Sequence, residues 1–209
     1  MIRVTLLSLC FCAALTNGSV RDDTTLVPNV VPFIFGLKED FGGKPWGMVQ
    51  YLAVRSASER LRPSAVYLHY VHLPSGPWFD LALPYLTLNK VDPITEIFGI
   101  KLEHVAHRAD VLRLQLLKEH GGIYMDLDVI SIAPFGAELR EHPFVMGMEG
   151  YPGLKDREFQ AAYSWRSEGY VLCNAVMLAK PKASFIDHWL DLYRSADFSS
   201  DGPKWAAMS

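Results

Sequence analysis

Along most of this chain, short apolar runs of strand length alternate with stretches whose apolar positions recur at helical spacing. Asn29 to Gly36, NVVPFIFG, reads as a first strand with Pro32 weakening its middle. PWGMVQYLAVRSASERLR, from Pro45 to Arg62, reads as a helix with proline near its first turn. Ser64 to His72 follows as a second strand, with Val66, Leu68, Tyr70 and His72 on one face. Pro77, Pro84 and Pro93 then leave room only for short helices or loops. Gly99 to Val105 is a short strand, Arg108 to His120 a helix and Gly121 to Ser131 the next strand. Pro143 to Gly150 and Gly169 to Lys180 are further strands, and Ala183 to Ala196 is a closing amphipathic helix. This alternation predicts an α/β domain, a mostly parallel sheet flanked by helices. There is no internal repeat and no low-complexity tract.

Composition narrows the functional classes. The 209 residues are 50% hydrophobic and 21% charged, enough apolar material for one domain with its own core. A formal net charge of -3 argues against a broad phosphate-backbone footprint, so nucleic acid is not an expected partner. The first residues differ from the rest: Arg3, an apolar run from Val4 to Leu15, then small and polar residues, the order of a secretory signal peptide. That run is short of the roughly 20 residues a membrane span needs. We assign residues 1–18 to a signal peptide or short signal-anchor and residues 28–209 to the folded domain. The expected destination is the secretory pathway, as a Golgi lumenal or secreted protein, touching membrane only if the leader is retained. Cys10 and Cys12 fall in the leader, which leaves Cys173 as a small apolar residue rather than half of a bridge.

GGIYMDLDVIS carries the chemistry. Its two aspartates sit in an apolar strand, where an unpartnered carboxylate is costly. Alternation would place Tyr124, Asp126 and Asp128 on one face, successive same-face residues about 6.5 to 7 Å apart. Carboxylates at that spacing can share a site for a hard divalent cation, which takes carboxylate and phosphate oxygens. Two aspartates in a turn capping backbone amides would be the structural alternative. In the preceding helix Lys118 and His120 occupy the last turn and Gly121 the left-handed cap position. Asp110 and Arg113, three apart, read on helix geometry alone as an exposed ion pair.

Taken whole, HRADVLRLQLLKEHGGIYMDLDVISIAPF resembles the sugar-donor-binding region of the DXD-motif glycosyltransferases, which include family 32, the yeast Golgi mannosyltransferases and the α-1,4-galactosyltransferases. Asp110, Arg113, Gly121, Gly122, Tyr124, Asp126 and Asp128 occupy every place of that pattern. The resemblance implies a GT-A, Rossmann-like fold and retaining transfer of a hexose from a nucleoside-diphosphate sugar to a glycan, protein or lipid acceptor, with Mn²⁺ or Mg²⁺. It implies Asp128 as direct metal ligand and Asp126 as an indirect one that touches ribose or sugar, the two carrying the catalytic role. Asp110 and Arg113 would bind sugar hydroxyls, with Gly122 and Tyr124 in the donor site. The first strand, around Phe33 to Gly36, would lie against the nucleotide.

Some features depart from the pattern or sit beside it. Where family 32 commonly has an aromatic HxxW feature in the first strand this chain has PFIFG, so base stacking would fall to Phe33 or Phe35. Relatives continue beyond a Gly-Pro near the position of Asp201-Gly202-Pro203, so a C-terminally incomplete domain with a site open on one side is expected. Asn174 faces donor or acceptor, or satisfies a strand end. Glu149 is an acceptor-side or solvated carboxylate, Tyr163 and Trp165 are candidates for an acceptor loop, and His104 and His107 read as structural. Two other functions fit parts of the pattern. One is a catalytically silent nucleotide-sugar binder of the same fold. The other is a haloacid-dehalogenase-type phosphatase using Asp126 and Asp128 with Lys180, Asp187 and Asp191, although those last two fall within a helical run.

Overall fold

Strands β1 (Val30–Phe35) and β2 (Ala65–Tyr70) pair in parallel from Val30 with Ala65 to Phe35 with Tyr70. β3 (Thr87–Lys90) joins the far edge of β2, also in parallel. The computed structural model of the chain describes residues 26–150 and 170–195, apart from the side chains of residues 149, 150, 170 and 171. Helices α1 (Met48–Ser56) and α2 (Pro77–Ala82) bring Ala53, Val54, Phe79 and Ala82 into one core cluster with Val31, Phe33, Val66 and Leu68 of the sheet. Burying side chains such as Val54 and Phe79 is worth about 1.5–3 kcal/mol each, and this is what fixes the helices on the sheet.

A β4–β5 hairpin (Glu96–Ile97 with Ile100–Lys101) leads into α3 (Val105–His120) and then β6 (Gly122–Met125). All four residues of β6 are buried, and its alternation serves two cores. Ile123 and Met125 enter the first cluster, while Tyr124 enters a second one built from Val111, Leu114, Leu117, Met177, Ile186 and Tyr193. After a short α4 (Ala137–Arg140), β7 (Phe144–Gly150) and β8 (Tyr170–Ala179) complete a second sheet in the order β6-β8-β7. Helix α5 (Ser184–Leu192) closes the second core through Ile186, Trp189 and Leu190.

The α/β class and the flanking helices are as the patterning predicts, and parallel pairing runs through β1, β2 and β3. The strands around the acidic motif pair antiparallel instead, β6 and β7 both against β8. β3 was not expected in the proline-broken stretch. Pro84 falls in a short 3-10 turn and Pro93 beyond the strand, so the window between them keeps its backbone donors. All four β3 residues are exposed, as suits an edge. Pro32 is tolerated in β1 because that strand ladders only with β2. Its other side packs against β6 with no shared ladder, where a missing N–H costs nothing.

That packing explains the second glycine of the motif. A Cβ on Gly122 would stand 2.8 Å from Val30 Cγ2 and 2.9 Å from the Val30 carbonyl oxygen, and the backbone there has φ +119°. Gly122→Ala is therefore expected to cost about 2–3 kcal/mol through strain and overpacking. Gly136→Ala, whose Cβ would meet nothing closer than 3.7 Å, serves as the near-neutral control in urea unfolding.

His69 provides a second test. It is 4% exposed, and its Nδ1 lies 3.0 Å from the Asn89 side-chain amide across the β2–β3 ladder. Burial, aided by His120, lowers its pKa from 6.5 to about 4. A depressed folded pKa means that the unfolded chain takes up the proton first. Stability should be full above pH 6.5 and fall as the pH drops toward 4, by about 3 kcal/mol at the limit. His69→Gln should remove this part of the acid limb in a pH series of thermal unfolding.

Candidate functional site

The site begins in the middle of α3. His104 caps the helix, its Nδ1 accepting the Ala106 N–H at 3.2 Å, which is the structural part expected of it. Gly121 ends it at φ 65°. Between these ends the helix turns Val111, Leu114 and Leu117 into the core, and with them Asp110 and Arg113, only 8% and 7% exposed. The exposed ion pair expected from helix spacing is thus a buried one. α5 and β8 cover that side of α3, which the spacing of charges along one helix cannot register.

Arg113 is the hub. Its Nη2 lies 3.1 Å from Asp110 Oδ1 and its Nη1 3.4 Å from Asp126 Oδ1. Nη1 also donates to the Asn174 carbonyl at 3.0 Å, and Cζ sits 4.7 Å over the Tyr124 ring. The Tyr124 hydroxyl donates to Asp126 Oδ1 at 2.7 Å, and Asn174 Nδ2 to Asp110 Oδ1 at 3.1 Å. Two carboxylates therefore share one guanidinium, whose planar fork suits several acceptors at once.

Burial sets the electrostatics. It pushes the Asp110 carboxyl up, with Arg113 and the Asn174 amide offsetting part of the rise. It pushes Asp126 up as well, against Arg113 and the Tyr124 hydroxyl, while Asp128 and Asp110 add to the rise. For Arg113, burial works to lower the pKa and is outweighed by Tyr124, Asp126, Asp110 and Tyr193, so the guanidinium stays charged. The Tyr124 phenol is raised well above its ordinary range, chiefly by burial, and remains a proton donor. Tyr193, 1% exposed, is raised by burial and then by Asp110. This residue was missed from sequence. Its one signal is its place at the end of the Ile186, Trp189, Leu190 stripe of the closing helix.

The strand expected to run through both aspartates stops earlier. β6 ends at Met125 and the chain turns, with the Val129 N–H donating to the Asp126 carbonyl at 3.1 Å. The two carboxylates do not share a strand face, because β8 pairs with β6 only as far as Val176 opposite Met125. Their environments differ accordingly. Asp126 is one-third exposed, with Oδ1 turned in toward Tyr124 and Arg113. Asp128 is exposed on the turn and makes no hydrogen bond or ion pair among the described residues. Among those residues no group of three or more acidic, histidine or cysteine side chains gathers to hold a metal. The donor set fits a different mode, in which a hard cation takes one or two carboxylates and completes its shell with ligand phosphates and water.

A cleft of about 200 Å³ opens between the carboxyl end of β1 and the first turns of α3. Phe35, Gly36, Lys38, Phe41, Ala106 and Ala109 are among its walls, so it reaches the residue before Asp110 but stops short of Asp126 and Asp128. Phe35 lines it, stacked on Phe41 at 5.5 Å. Phe33 does not: it is fully buried in the first core, with no ring face open to a ligand. Gly122 contributes through close strand packing rather than a side chain. The Glu149 side chain, Tyr163, Trp165 and Asp201 to Pro203 lie outside the described residues. Asp187 and Asp191, named for the phosphatase alternative, sit on the exposed side of α5, paired with Lys118 and Arg194.

Arg113→Ala would leave two inward-facing carboxylates without their cation, and a loss of about 3–5 kcal/mol is expected near neutral pH. Both carboxylates have raised pKa values, so protonation should relieve the repulsion. The loss should be clearly smaller at pH 5 than at pH 8 in denaturant titrations, and an equal loss at both would contradict the shared-charge account.

Residues 53–145 match the family model described as the glycosyltransferase sugar-binding region containing DXD motif. Glucan organizing enzyme 1 of Cryptococcus neoformans var. grubii is 42% identical over 187 residues, covering 88% of this chain and 48% of that protein. The chain thus spans about half the length of this curated relative. Among solved structures, the PaToxG glycosyltransferase aligns over 85% of this chain and 67% of its own at 16% identity and TM-score 0.48. The glycosyltransferase GlyE of Streptococcus pneumoniae aligns over 86% and 41% at 13% identity and TM-score 0.41. Asp110, Arg113, Gly122, Tyr124, Asp126 and Asp128 all lie within the matched residues, and this segment of the chain is similar to the DXD-motif glycosyltransferase sugar-binding regions.

Proposed function

We propose that the chain carries the donor site of a metal-dependent, retaining glycosyltransferase that moves a hexose from a nucleoside-diphosphate sugar to a glycan. The observation that carries this reading is the asymmetry of the two aspartates. Asp126 is tied inward by Tyr124 and Arg113, while Asp128 projects from the turn with its oxygens uncommitted among the described residues. Asp128 is then the direct ligand for Mn²⁺ or Mg²⁺ and Asp126 a restrained neighbour. Asp110 and Arg113 border the place where sugar hydroxyls would sit, and the cleft at Phe35 and Phe41 suits the nucleotide.

In the transfer, the bond from the anomeric carbon to the diphosphate oxygen breaks and the diphosphate leaves with the electron pair. An acceptor hydroxyl forms the new bond, and its proton passes to the departing diphosphate. A bound divalent cation supplies Lewis-acid stabilisation of the charge growing on that leaving group. The fixed Arg113 charge and the neutral Tyr124 phenol keep Asp126 from swinging toward solvent. Retention of configuration rests on the family resemblance. The name of the Cryptococcus relative supports a glucan acceptor and makes a glucosyl donor the first to try. The leader-like first residues support action within the secretory pathway.

Asp128→Asn is the direct test. Because the side chain is exposed on a turn, the variant should unfold as cooperatively as the wild type. Its Mn²⁺-dependent stabilisation by UDP-glucose, or by whichever nucleotide sugar stabilises the wild type most, should drop at least about tenfold in apparent affinity. Unchanged metal and donor affinity in calorimetry would remove Asp128 as the ligand. Binding without turnover by the wild type would favour the silent binder instead.

A further inference from the structure

β8 contains an irregularity beside the site. β7 pairs Met146 with Met177 and then Gly147 with Cys173, so Asn174, Ala175 and Val176 have no partners on β7. On the other side β6 pairs only with Val176 and the residues after it. Asn174 and Ala175 are thereby free of both ladders, and their polar groups go to the site. The Asn174 carbonyl accepts from Arg113 Nη1 at 3.0 Å, and the Ala175 carbonyl accepts the Asp126 N–H at 2.8 Å. The Asn174 amide donates to Asp110 Oδ1 at 3.1 Å. Extra residues in a strand commonly re-aim a side chain in this way next to active sites.

We infer that Asn174 is a positioning residue, which holds Asp110 and Arg113 in the arrangement that receives the donor's sugar and does not itself touch the donor. This rests on the function proposed above. The chemistry selects asparagine. Asp110 Oδ1 already takes one N–H from Arg113 Nη2, and the second must come from a group that is neutral and can donate. An aspartate at 174 would set a third carboxylate against Asp110. An alanine would leave Arg113 its backbone acceptor but free the Asp110 carboxylate to rotate. Losing the amide should therefore act on the sugar subsite, where Asp110 is used, and spare the diphosphate, which Asp128 and its metal would hold.

A double-mutant cycle on the full chain with Mn²⁺ tests this. The probes are the nucleotide sugar from a UDP-glucose, UDP-galactose and GDP-mannose panel that stabilises the wild type most, and its nucleoside diphosphate. Asn174→Ala should weaken the nucleotide sugar about tenfold, the scale of one hydrogen bond to a charged group, and leave the diphosphate within about twofold. In an Asp110→Ala background it should weaken the sugar donor no further. Additive losses would mean that Asn174 contacts the donor itself and would overturn the inference, as would equal losses for both probes. Should Asn174→Ala fail to fold, Asn174→Ser, polar but too short to span the 3.1 Å bond to Asp110, takes its place in the cycle. The same selective and non-additive loss is expected, and an additive loss or an equal loss for both probes would overturn the inference. Failure of the wild type to bind any nucleotide sugar would overturn the proposed function and the positioning role together, whereas binding with an additive cycle would overturn the positioning role alone.

Discussion

A single guanidinium, Arg113, is buried where three separate parts of the chain meet. It sits on α3, faces the end of β6 through Asp126 and Tyr124, and reaches β8 through the Asn174 carbonyl. A charge this far from water is stable only if its partners are charged, aligned and present together. That requirement ties the helix to the strands as firmly as the apolar contacts around it. It also makes the three elements interdependent: moving any one of them strands a carboxylate or a cation. The site and the second core are in this sense one structure, with Tyr124 and Tyr193 belonging to both.

The difference in surroundings between the two aspartates follows from where β6 stops. As long as the strand is laddered to β8 its side chains are buried on both faces. Once the ladder ends, the chain turns, and residues two apart can meet quite different surroundings. Asp126 remains within reach of the buried network, and Asp128 is delivered to solvent. The proposed cation site would use both, one carboxylate open to water and one held still beside it. A continuous strand would have offered two equivalent carboxylates repelling each other on one face.

Much of the fold was legible from periodicity. Strands at Val30, Ala65, Phe144 and Tyr170 and helices at Met48, Val105 and Ser184 stand where apolar spacing puts them. The short strand β3 was hidden because its four residues are exposed, so nothing in their hydropathy marks a side facing a core. The site was partly legible. The Gly-Gly pair, Tyr124 and the two aspartates were marked by their order in the chain, and Asn174 by its polarity within an apolar run. Tyr193 and the carbonyls of Asn174 and Ala175 carried no such mark, since a core tyrosine and a backbone oxygen look alike in any sequence. Phe33 and Phe35 show the limit of strand alternation: two apart, they share a face, and alternation does not say where along that face the core ends and a cleft begins.

By itself the sequence determined the local conditions: which segments bury an apolar side, where a backbone without Cβ is required, and which acids interrupt an apolar run. These are properties of neighbours along the chain, governed by period and by side-chain chemistry. Only the tertiary structure decided that Asp110 and Arg113 would be covered rather than solvated, that the motif strand would end before its acids, and that a distant strand would turn an asparagine and two carbonyls toward them. Each of those outcomes depends on what packs against a surface, and the sign and size of an electrostatic interaction change with the water excluded from it.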